Sequence, residues 1–326
     1  MFLEKVVQML TLLISIMLAE LPTESPDVGL FVRGVWLFQQ QGTPAAGDDA
    51  KVKSTLAKAL ANDAKITLEE LDGLMTSKRF QKIAGDDNAV DGAEVTRALD
   101  EAMPASRAKL RAKLRRHADY LTTTLDMIDE THLHAAHDLA EWMVANYDAS
   151  KPIEVIMVCT GNSRRSILGS SMGNMAAAYY GLNNVRFYSG GTEPSAFNKR
   201  TVAALRDIGF DVAEIGAEAT RGSPKTLNPM LRVQWGEGME TVEFSKHFSD
   251  AGNPHAGFAA LMVCSEADAQ CPSVPGAALR LSVPYLDPKA YDGSEFEAAK
   301  YNERRDDIGR MMLAALCQVR RELNAE

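Results

Sequence analysis

The spacing of apolar residues changes near the middle of the chain. Before residue 150 no strand pattern stands out, and the clearest signal is an amphipathic helix over residues 106–130, where leucines recur on one helix face. From residue 151 short apolar runs alternate with helical stretches, beginning with Pro152–Val158, which is typical of a strand buried on both faces. The pattern predicts an all-α domain over residues 1–150 and an α/β domain with a parallel sheet over residues 151–326.

The N-terminal run over residues 6–19 is apolar but only 14 residues long. A membrane-spanning helix needs roughly 20 residues, so we predict no stable membrane insertion. A buried helix is the preferred interpretation, and a signal peptide is the alternative, although Glu4 offsets Lys5 and Met17 is poorly suited to a cleavage site. We therefore expect a cytoplasmic protein, with export as the alternative.

Two stretches of the first part, residues 62–71 and 85–95, resemble the second half of EF-hand calcium loops. Aligned on their central apolar positions, both keep a glutamate at the last ligand position and lack a carboxylate at the first. In the first stretch Ile66 is the central apolar residue, Glu70 is at the last ligand position and Ala59 is at the first. In the second stretch these positions hold Val90, Glu94 and Ile83. We expect a helix-loop-helix scaffold without calcium.

Composition narrows the function further. The formal charge of −9, from 35 Lys plus Arg against 44 Asp plus Glu, argues against nucleic-acid binding. Four cysteines in 326 residues are too few for a disulfide framework, so each must be considered by itself. His132, His134 and His137 share one predicted helix but lack a partner at a recognised ligand spacing. We expect surface histidines and no metal site.

The turn after the first strand of the second part, Cys159–Ser166, carries the strongest chemical signal. Backbone N–H groups of such a loop, together with the following helix N-terminus, can bind a tetrahedral oxyanion. Arg165 can add a bidentate contact, and the same positive field favours the thiolate of Cys159, to which Ser166 can donate a hydrogen bond. The expected oxyanion-binding residues are Thr160, Gly161, Asn162, Ser163, Arg164, Arg165 and Ser166. The loop predicts a nucleophile for phosphorus or arsenic.

These residues resemble the low-molecular-weight protein tyrosine phosphatase family, and more closely its arsenate reductase branch. Cys159–Ser166 is similar to the phosphate loop, with Arg164 where many members have a second cysteine, and Ser189–Thr192 resembles the family's Ser-Ala-Gly-Thr segment. The resemblance runs from residue 153 to the C-terminus. It implies a low-molecular-weight phosphatase-like fold there, and an enzyme that needs no cofactor.

A second segment, Cys264–Pro272, has two cysteines seven positions apart. By themselves they could be small core residues. The resemblance to the reductase branch implies a thiol relay instead. Cys159 would attack arsenate, Cys264 would expel arsenite and form a disulfide with Cys159, and Cys271 would resolve that disulfide for thioredoxin to reduce. Cys317, in a C-terminal apolar helix, is expected in the core.

The leaving oxygen also needs a proton. Asp287 lies in a loop fixed by two prolines, Pro284 and Pro288, and this segment resembles the family's general-acid loop, so we expect Asp287 to be the acid. Asp292 is the weaker alternate. Residues 217–256 match nothing in the compact reductases, and we expect a lid or a dimer contact.

Three functions remain open at this point. The first is arsenate reduction with thioredoxin as the reductant. The second is a phosphatase of the same fold, which hydrolyses phosphate esters with Cys159, Arg165 and Asp287 alone. The third is an oxyanion-binding regulatory protein without turnover.

Overall fold

The structure, a computed structural model, divides into two compact units, residues 1–102 and 103–326. It describes residues 53–59, 65–70, 77–91, 93–94, 97, 104–222, 225–271 and 273–323. The apolar run over residues 6–19 lies outside the described residues.

The first unit contains a short antiparallel strand pair, which corrects the expectation of an all-α region before residue 150. Strand β1 (Ile66–Thr67) pairs with β2 (Ala89–Val90), and Ile66 lies opposite Val90. These are the positions on which the EF-hand alignment is centred. Residues 53–59 and α1 (Ser77–Ile83) are helical. Periodicity could not predict two-residue strands because they are shorter than one repeat of an alternating pattern.

The two EF-hand-like glutamates bond to their own loops. Glu70 Oε2 accepts hydrogen bonds from the backbone N–H of Thr67 (2.8 Å) and from its hydroxyl (2.9 Å), and Glu94 Oε2 accepts from the N–H of Asp91 (3.0 Å). This is the reciprocal arrangement of a helix capping box. Among the described residues no group of three or more potential ligands could hold a metal ion.

The second unit contains seven helices and seven strands within its described residues. The helices are α2 (Ala105–Ala108), α3 (Ala112–Thr122), α4 (Glu130–Ala145), α5 (Arg165–Tyr180), α6 (Lys199–Ile208), α7 (Ser265–Gln270) and α8 (Glu297–Leu323). The strands are β3 (Ile153–Cys159), β4 (Val185–Gly191), β5 (Asp211–Glu218), β6 (Pro229–Gly236), β7 (Met239–Glu243), β8 (Phe258–Met262) and β9 (Ala277–Ser282). Two 3-10 helices cover Leu125–Met127 and Pro288–Tyr291.

A four-stranded parallel sheet in the order β4-β3-β8-β9 forms the centre of this unit. Its middle strands are nearly or wholly buried, as the continuous apolar runs predict. Cys159 ends β3 beside Gly191 at the end of β4, and Cys264 follows β8 by two residues. The carboxyl ends of parallel strands share one edge, which brings these residues together.

Helices α3 and α4 pack against α8 in the same unit as the sheet. Leu114 and Leu121 of α3 and Leu139 and Met143 of α4 are fully buried. The division at residues 102/103 therefore differs from the expected 150/151, because these helices bury their apolar faces against the C-terminal helix. The helix expected over 106–130 is also broken, into α2, α3 and the 3-10 helix at 125–127.

The segment over residues 217–256 contributes to a separate antiparallel sheet in the order β5-β6-β7. After β7 the chain runs beside the end of β4, where Gly191 lies opposite His247. Gly191 donates to the Lys246 carbonyl and accepts from the Phe248 N–H, both at 3.0 Å. Within the described residues this segment supports the outside of the Cys159 loop. None of the helices that the structure describes is long and apolar enough to cross a bilayer.

Candidate active site

The backbone carbonyl groups of the loop between β3 and α5 accept hydrogen bonds from residues outside the loop. Four of them accept backbone N–H hydrogen bonds of 2.8–3.2 Å: Cys159 from Thr192, Thr160 from Glu193, Gly161 from Ser195, and Ser163 from Asn198. The N–H groups of residues 160–164 donate no hydrogen bond within the described part of the chain. These unbonded donors lie next to the positive end of α5, an arrangement suited to binding an anion.

Two residues fix the curl of this loop. Asn162 has the left-handed φ of 41°, a conformation that Asn tolerates better than most residues. Its side chain is fully buried: Oδ1 accepts from the N–H of Lys246 (2.8 Å) and Nδ2 donates to Ser166 Oγ (2.9 Å). Gly191 permits the close approach of β4, since a Cβ there would lie 2.6 Å from the Thr160 carbonyl oxygen.

Cys159 lies at the base of the loop, 3 % exposed. Its Sγ is 3.0 Å from Ser166 Oγ. Because Asn162 Nδ2 already donates to that oxygen, the serine hydroxyl hydrogen is directed towards the sulfur. The hydroxyl is thus placed to stabilise a thiolate at Cys159.

Arg165, the first residue of α5, is held by the loop that contains Asp287. Its Nη1 donates to the carbonyl oxygen of Tyr285 (2.9 Å), and its Nη2 donates to Asp287 Oδ2 (2.8 Å). The buried Nε has no hydrogen-bond partner among the described residues. A buried, unpaired guanidinium N–H is costly unless something binds it, and an oxyanion would supply the missing acceptor.

Asp287 caps the 3-10 helix Pro288–Tyr291, where its Oδ1 accepts from the N–H of Lys289 (2.9 Å). Its other oxygen meets Arg165, so the carboxyl group faces the loop. Asp292, the weaker alternate, is bonded elsewhere: it accepts from the hydroxyl of Tyr301 (2.8 Å) and lies 3.3 Å from Arg200. Burial raises the pKa of Tyr301 to about 12, so this hydroxyl stays a donor.

Three loop side chains point away from the cradle. Thr160 Oγ1 lies against Cys264, Ser163 Oγ donates to the Ala196 carbonyl (2.5 Å), and Arg164 Nε donates to the hydroxyl of Tyr301 (2.8 Å). These residues can therefore contribute only their backbone N–H groups to oxyanion binding. Arg164, which the sequence included among the expected oxyanion-binding residues, directs its charge to the rim of the site.

Cys264 and Cys271 lie at opposite ends of α7. Cys264 is fully buried and caps the helix: its Sγ accepts from the N–H of Ala267 (3.4 Å) and lies 3.5 Å from Thr160 Oγ1. Cys271 ends the helix, where its N–H donates to the Ala267 carbonyl (3.0 Å). Cys159, Cys264 and Cys271 are free thiols, and Cys317 is buried in α8.

A clamp from β9 holds α7 in place. Arg280 donates to the carbonyl of Cys271 (3.0 Å) and to the Asp268 carboxylate (2.5 Å), which also accepts from the hydroxyl of Ser282 (2.8 Å). Desolvation raises the pKa of the Cys271 thiol, and the charge of Arg280 partly offsets this. Cys271 is therefore a weaker acid here than an exposed thiol.

Sequence reasoning missed two supports of the site. Ser245 Oγ donates to the Gly161 carbonyl (2.9 Å), and the Tyr285 carbonyl orients Arg165. Neither belongs to a recognisable motif. A backbone carbonyl carries no sequence signal, and Ser245 lies in the unmatched segment.

Comparison with known proteins agrees with this geometry. The family model described as low molecular weight phosphotyrosine protein phosphatase matches residues 154–226. Arsenate reductase 1 of Staphylococcus epidermidis is 25% identical over 149 residues, which are 45% of this chain and 86% of that protein. An arsenate reductase of Bacillus cereus is 24% identical over 155 residues, 48% of this chain and 87% of that protein.

Among solved structures, a low molecular weight protein tyrosine phosphatase from Bacillus subtilis covers 53% of this chain and 100% of its own, at 16% identity and a TM-score of 0.34. The family match begins within β3 and includes the whole Cys159 loop. Residues 154–226 of this chain are thus similar to the low molecular weight phosphotyrosine protein phosphatase family, and its curated relatives include arsenate reductases.

Proposed function

We propose that the protein is an arsenate reductase that passes electrons from an external dithiol through Cys271, Cys264 and Cys159. The observation that carries this proposal is the position of Cys264, whose sulfur lies 3.5 Å from the Thr160 hydroxyl at the edge of the oxyanion loop. A phosphatase needs no second thiol there. The arsenate reductases of Staphylococcus epidermidis and Bacillus cereus support the same substrate.

The first step is nucleophilic. Arsenate is held by the free N–H groups of residues 160–164 and by Arg165 Nε, and the Cys159 thiolate attacks arsenic. An S–As bond forms and an As–O bond breaks. Asp287, which faces the loop, gives a proton to the departing oxygen, which leaves as water. The product is a covalent Cys159 adduct of As(V).

The second step is the reduction. The sulfur of Cys264 attacks Cys159 Sγ, and the S–As bond breaks with its electron pair going to arsenic. Arsenic is thereby reduced from As(V) to As(III) and leaves as arsenite, while the two sulfurs are oxidised to a disulfide. Cys159 ends β3 and Cys264 follows the neighbouring strand β8, so both thiols lie at the same edge of the sheet.

The third step requires α7 to unwind. Residues seven positions apart on a helix lie roughly 10 Å apart along its axis, whereas disulfides join Cα atoms separated by about 4.4–6.8 Å. Cys271 can attack Cys264 only after the Arg280 clamp and the helix have opened. The attack releases the Cys159 thiolate and leaves a Cys264–Cys271 disulfide for reduction.

We propose thioredoxin as the external dithiol. It would supply two electrons and two protons, returning Cys264 and Cys271 to thiols. Such donors are kept reduced in the cytoplasm, which is where we propose that the protein works.

Phosphate-ester hydrolysis is the second candidate. The contact of Asp287 with Arg165 completes a phosphatase site without Cys264 or Cys271. Tyr291, 40 % exposed in the 3-10 helix that Asp287 caps, could contact an aromatic ester.

The test separates the two activities by one substitution. Cys271→Ser should abolish steady-state arsenate reduction with thioredoxin and thioredoxin reductase, whereas hydrolysis of p-nitrophenyl phosphate should persist. Cys317→Ala is the matched control, since this thiol is buried in α8, and it should leave arsenate reduction in place. Full arsenate reduction by Cys271→Ser would refute the relay.

A further inference from the structure

The backbone carbonyl of Gly161, in the Cys159–Ser166 loop, accepts three hydrogen bonds within the described part of the chain. The donors are the N–H of Ser195 (3.0 Å), the hydroxyl of Ser195 (3.0 Å) and the hydroxyl of Ser245 (2.9 Å). Ser245 is 1 % exposed and lies 84 positions further along the chain. Rotation of the Gly161–Asn162 peptide group would break all three hydrogen bonds, so its orientation is strongly determined.

The bonds to the Gly161 carbonyl also fix the direction of the next N–H group. In a trans peptide, the carbonyl of one residue and the N–H of the following residue point in opposite directions. The peptide bonds of the described residues are all trans. Because the Gly161 carbonyl is directed out of the loop, the N–H of Asn162 is directed into it. This N–H is one of the unbonded donors that are suited to an anion.

The direction of the Ser245 hydroxyl bond follows from its partners. Ser245 Oγ accepts a hydrogen bond from the N–H of Ser195 (2.8 Å), so the lone pair on that side is used. The Gly161 carbonyl oxygen can accept but cannot donate. The Ser245 hydroxyl is therefore the donor to Gly161, and its burial keeps water from competing for this bond.

Asn228 holds Ser245 in this position. The Asn228 side chain is fully buried. Its Oδ1 accepts from the N–H of Ser245 (3.0 Å), and its Nδ2 donates to the carbonyls of Ser245 (2.8 Å) and Thr220 (2.8 Å). The carboxamide thus bonds both polar backbone groups of Ser245 and ties them to the connection between β5 and β6. Asn228 and Ser245 lie beyond residues 154–226, which the family model matches.

We propose that Ser245, held by Asn228, is a positioning residue that aims the Asn162 N–H at the bound oxyanion. The N–H of the neighbouring Lys246 bonds Asn162 Oδ1 (2.8 Å), so the same segment fixes both the peptide group and the side chain of Asn162. A donor that is oriented in advance binds an oxyanion without the cost of reorganisation. The inference rests on the proposed oxyanion-binding role of the Cys159–Ser166 loop.

The first test observes the Asn162 N–H in the wild-type full chain. Labelling glycine carbonyls with ¹³C and asparagine with ¹⁵N selects the asparagine amides that follow a glycine, of which the chain has three: Asn162, Asn174 and Asn253. The Asn162 signal is assigned by its loss in Asn162→Ser.

Sulfate is the probe for this measurement. Saturation with sulfate should move the Asn162 amide proton downfield, because a hydrogen bond to an anion deshields it. Asn174, inside α5, and Asn253, whose N–H donates to the Asp250 carbonyl (2.9 Å), should not move. An Asn162 signal that sulfate leaves in place would overturn the proposal.

The second test removes the hydroxyl group. In calorimetric titrations Ser245→Ala should bind sulfate about tenfold more weakly than the wild type, the loss expected for one hydrogen bond to a charged group. The sulfate-induced shift of the Asn162 proton should also become smaller. Ser245→Thr keeps the hydroxyl and should recover most of the affinity and of the shift. A lower melting temperature of Ser245→Ala with unchanged sulfate affinity would mean a purely structural role and would contradict the proposal.

Ser249→Ala is the matched control, because Ser249 lies in the same segment, is exposed, and bonds His247 two positions away (2.7 Å). It should bind sulfate like the wild type. Asn228→Asp keeps the shape of the side chain but loses the N–H donors, and it should lose affinity as Ser245→Ala does. Wild-type affinity in Asn228→Asp would contradict its part in the proposal.

These tests are independent of turnover. A protein that binds sulfate through Asn162 but does not reduce arsenate would disprove the proposed function and leave this inference intact. A protein that reduces arsenate while Ser245→Ala keeps full sulfate affinity would disprove this inference alone.

Discussion

The Arg165 guanidinium links the Cys159–Ser166 loop to the segment that contains Tyr285 and Asp287. Its Nη groups are fixed by the Tyr285 carbonyl and Asp287, while the buried Nε has no partner among the described residues. The group is therefore oriented before any substrate binds. Pre-oriented donors of this kind stabilise developing charge without further reorganisation.

Arg165→Lys tests this orientation. A lysine carries one point charge and cannot bond the Tyr285 carbonyl, Asp287 and an oxyanion in a fixed fork. We expect kcat/KM for arsenate to fall about 10²- to 10³-fold, the typical effect of losing an oxyanion donor. Arg186→Lys, at an exposed arginine of β4, is the control and should leave kcat/KM unchanged. A loss below threefold for Arg165→Lys would contradict the role.

Cys271 should make steady-state turnover pH-dependent. Desolvation raises the pKa of this thiol, so its thiolate is scarce at neutral pH and becomes more abundant as the pH rises. The attack on Cys264 needs the thiolate, and its rate should increase up to about tenfold per pH unit between pH 7 and 9. The measurement is the pH profile of the steady-state turnover rate, compared with the pH profile of arsenite release in a single turnover by stopped flow. Equal pH profiles for both would be evidence against Cys271 as the resolving thiol.

At the residue scale, the sequence predicts functional groups that are adjacent along the chain. The Cys159–Ser166 loop could be identified because its donors, nucleophile and arginine follow one another. Lys246, which fixes Asn162 from 84 positions away, and Tyr285, 120 positions from Arg165, could not be predicted. Folding alone places these groups beside the loop, and no local pattern encodes such contacts.

Helix α7 is the element that must change shape in the proposed relay. It separates Cys264 from Cys271 while folded, and its stability therefore limits how often they meet. The helix has six residues and is held by Arg280 through Asp268 and the Cys271 carbonyl. Helices this short are marginal without such contacts.

Ala269→Gly should accelerate the relay. Ala269 is exposed in α7, and glycine there disfavours the helix by about 1 kcal/mol, which corresponds to roughly a fivefold larger open population. We expect the Cys264–Cys271 disulfide to form about fivefold faster after arsenate addition, measured by quenched mass spectrometry. Ala299→Gly, exposed in α8, is the control and should have no effect. A slower reaction in Ala269→Gly would mean that the folded helix is the reactive form.

At the element scale, long apolar runs were informative and short or polar strands were not. β3 and β8 are continuous buried strands, and the sequence predicts both. β5 is mostly exposed and carries no strand signal, so the antiparallel sheet β5-β6-β7 was missed. The described residues of this segment bond the Cys159–Ser166 loop, and the expectation of a lid or dimer contact stays a prediction.

At the scale of the whole chain, the helices before the family segment are part of the catalytic unit. His117 of α3 lies 2.8 Å from Asp306, and buried Arg310 donates to Thr124 Oγ1 (2.8 Å), so α8 depends on residues that precede β3. The sequence placed these helices in the other domain because a helix pattern does not show which partner the helix will pack against.

Truncated chains test whether the domain boundary lies at residues 102/103 or at 150/151. A chain shortened to residues 103–326 should fold and retain arsenate reduction within about twofold, whereas one shortened to 151–326 should unfold or aggregate, because α8 then loses the cover of α3 and α4. Circular dichroism melting and turnover on the same samples decide this. Equal stability of both shortened chains would show that the boundary lies at 150/151 after all.

The central claim is that three sulfurs of one chain reduce arsenate in sequence. The most direct measurement is a thiol count after a single turnover with arsenate and no added reductant, followed by mapping of the disulfide. We predict the loss of two thiols from the four present, one arsenite released per chain, and a bond between Cys264 and Cys271. Four thiols remaining after exposure to arsenate, or a disulfide that involves Cys317, would contradict it.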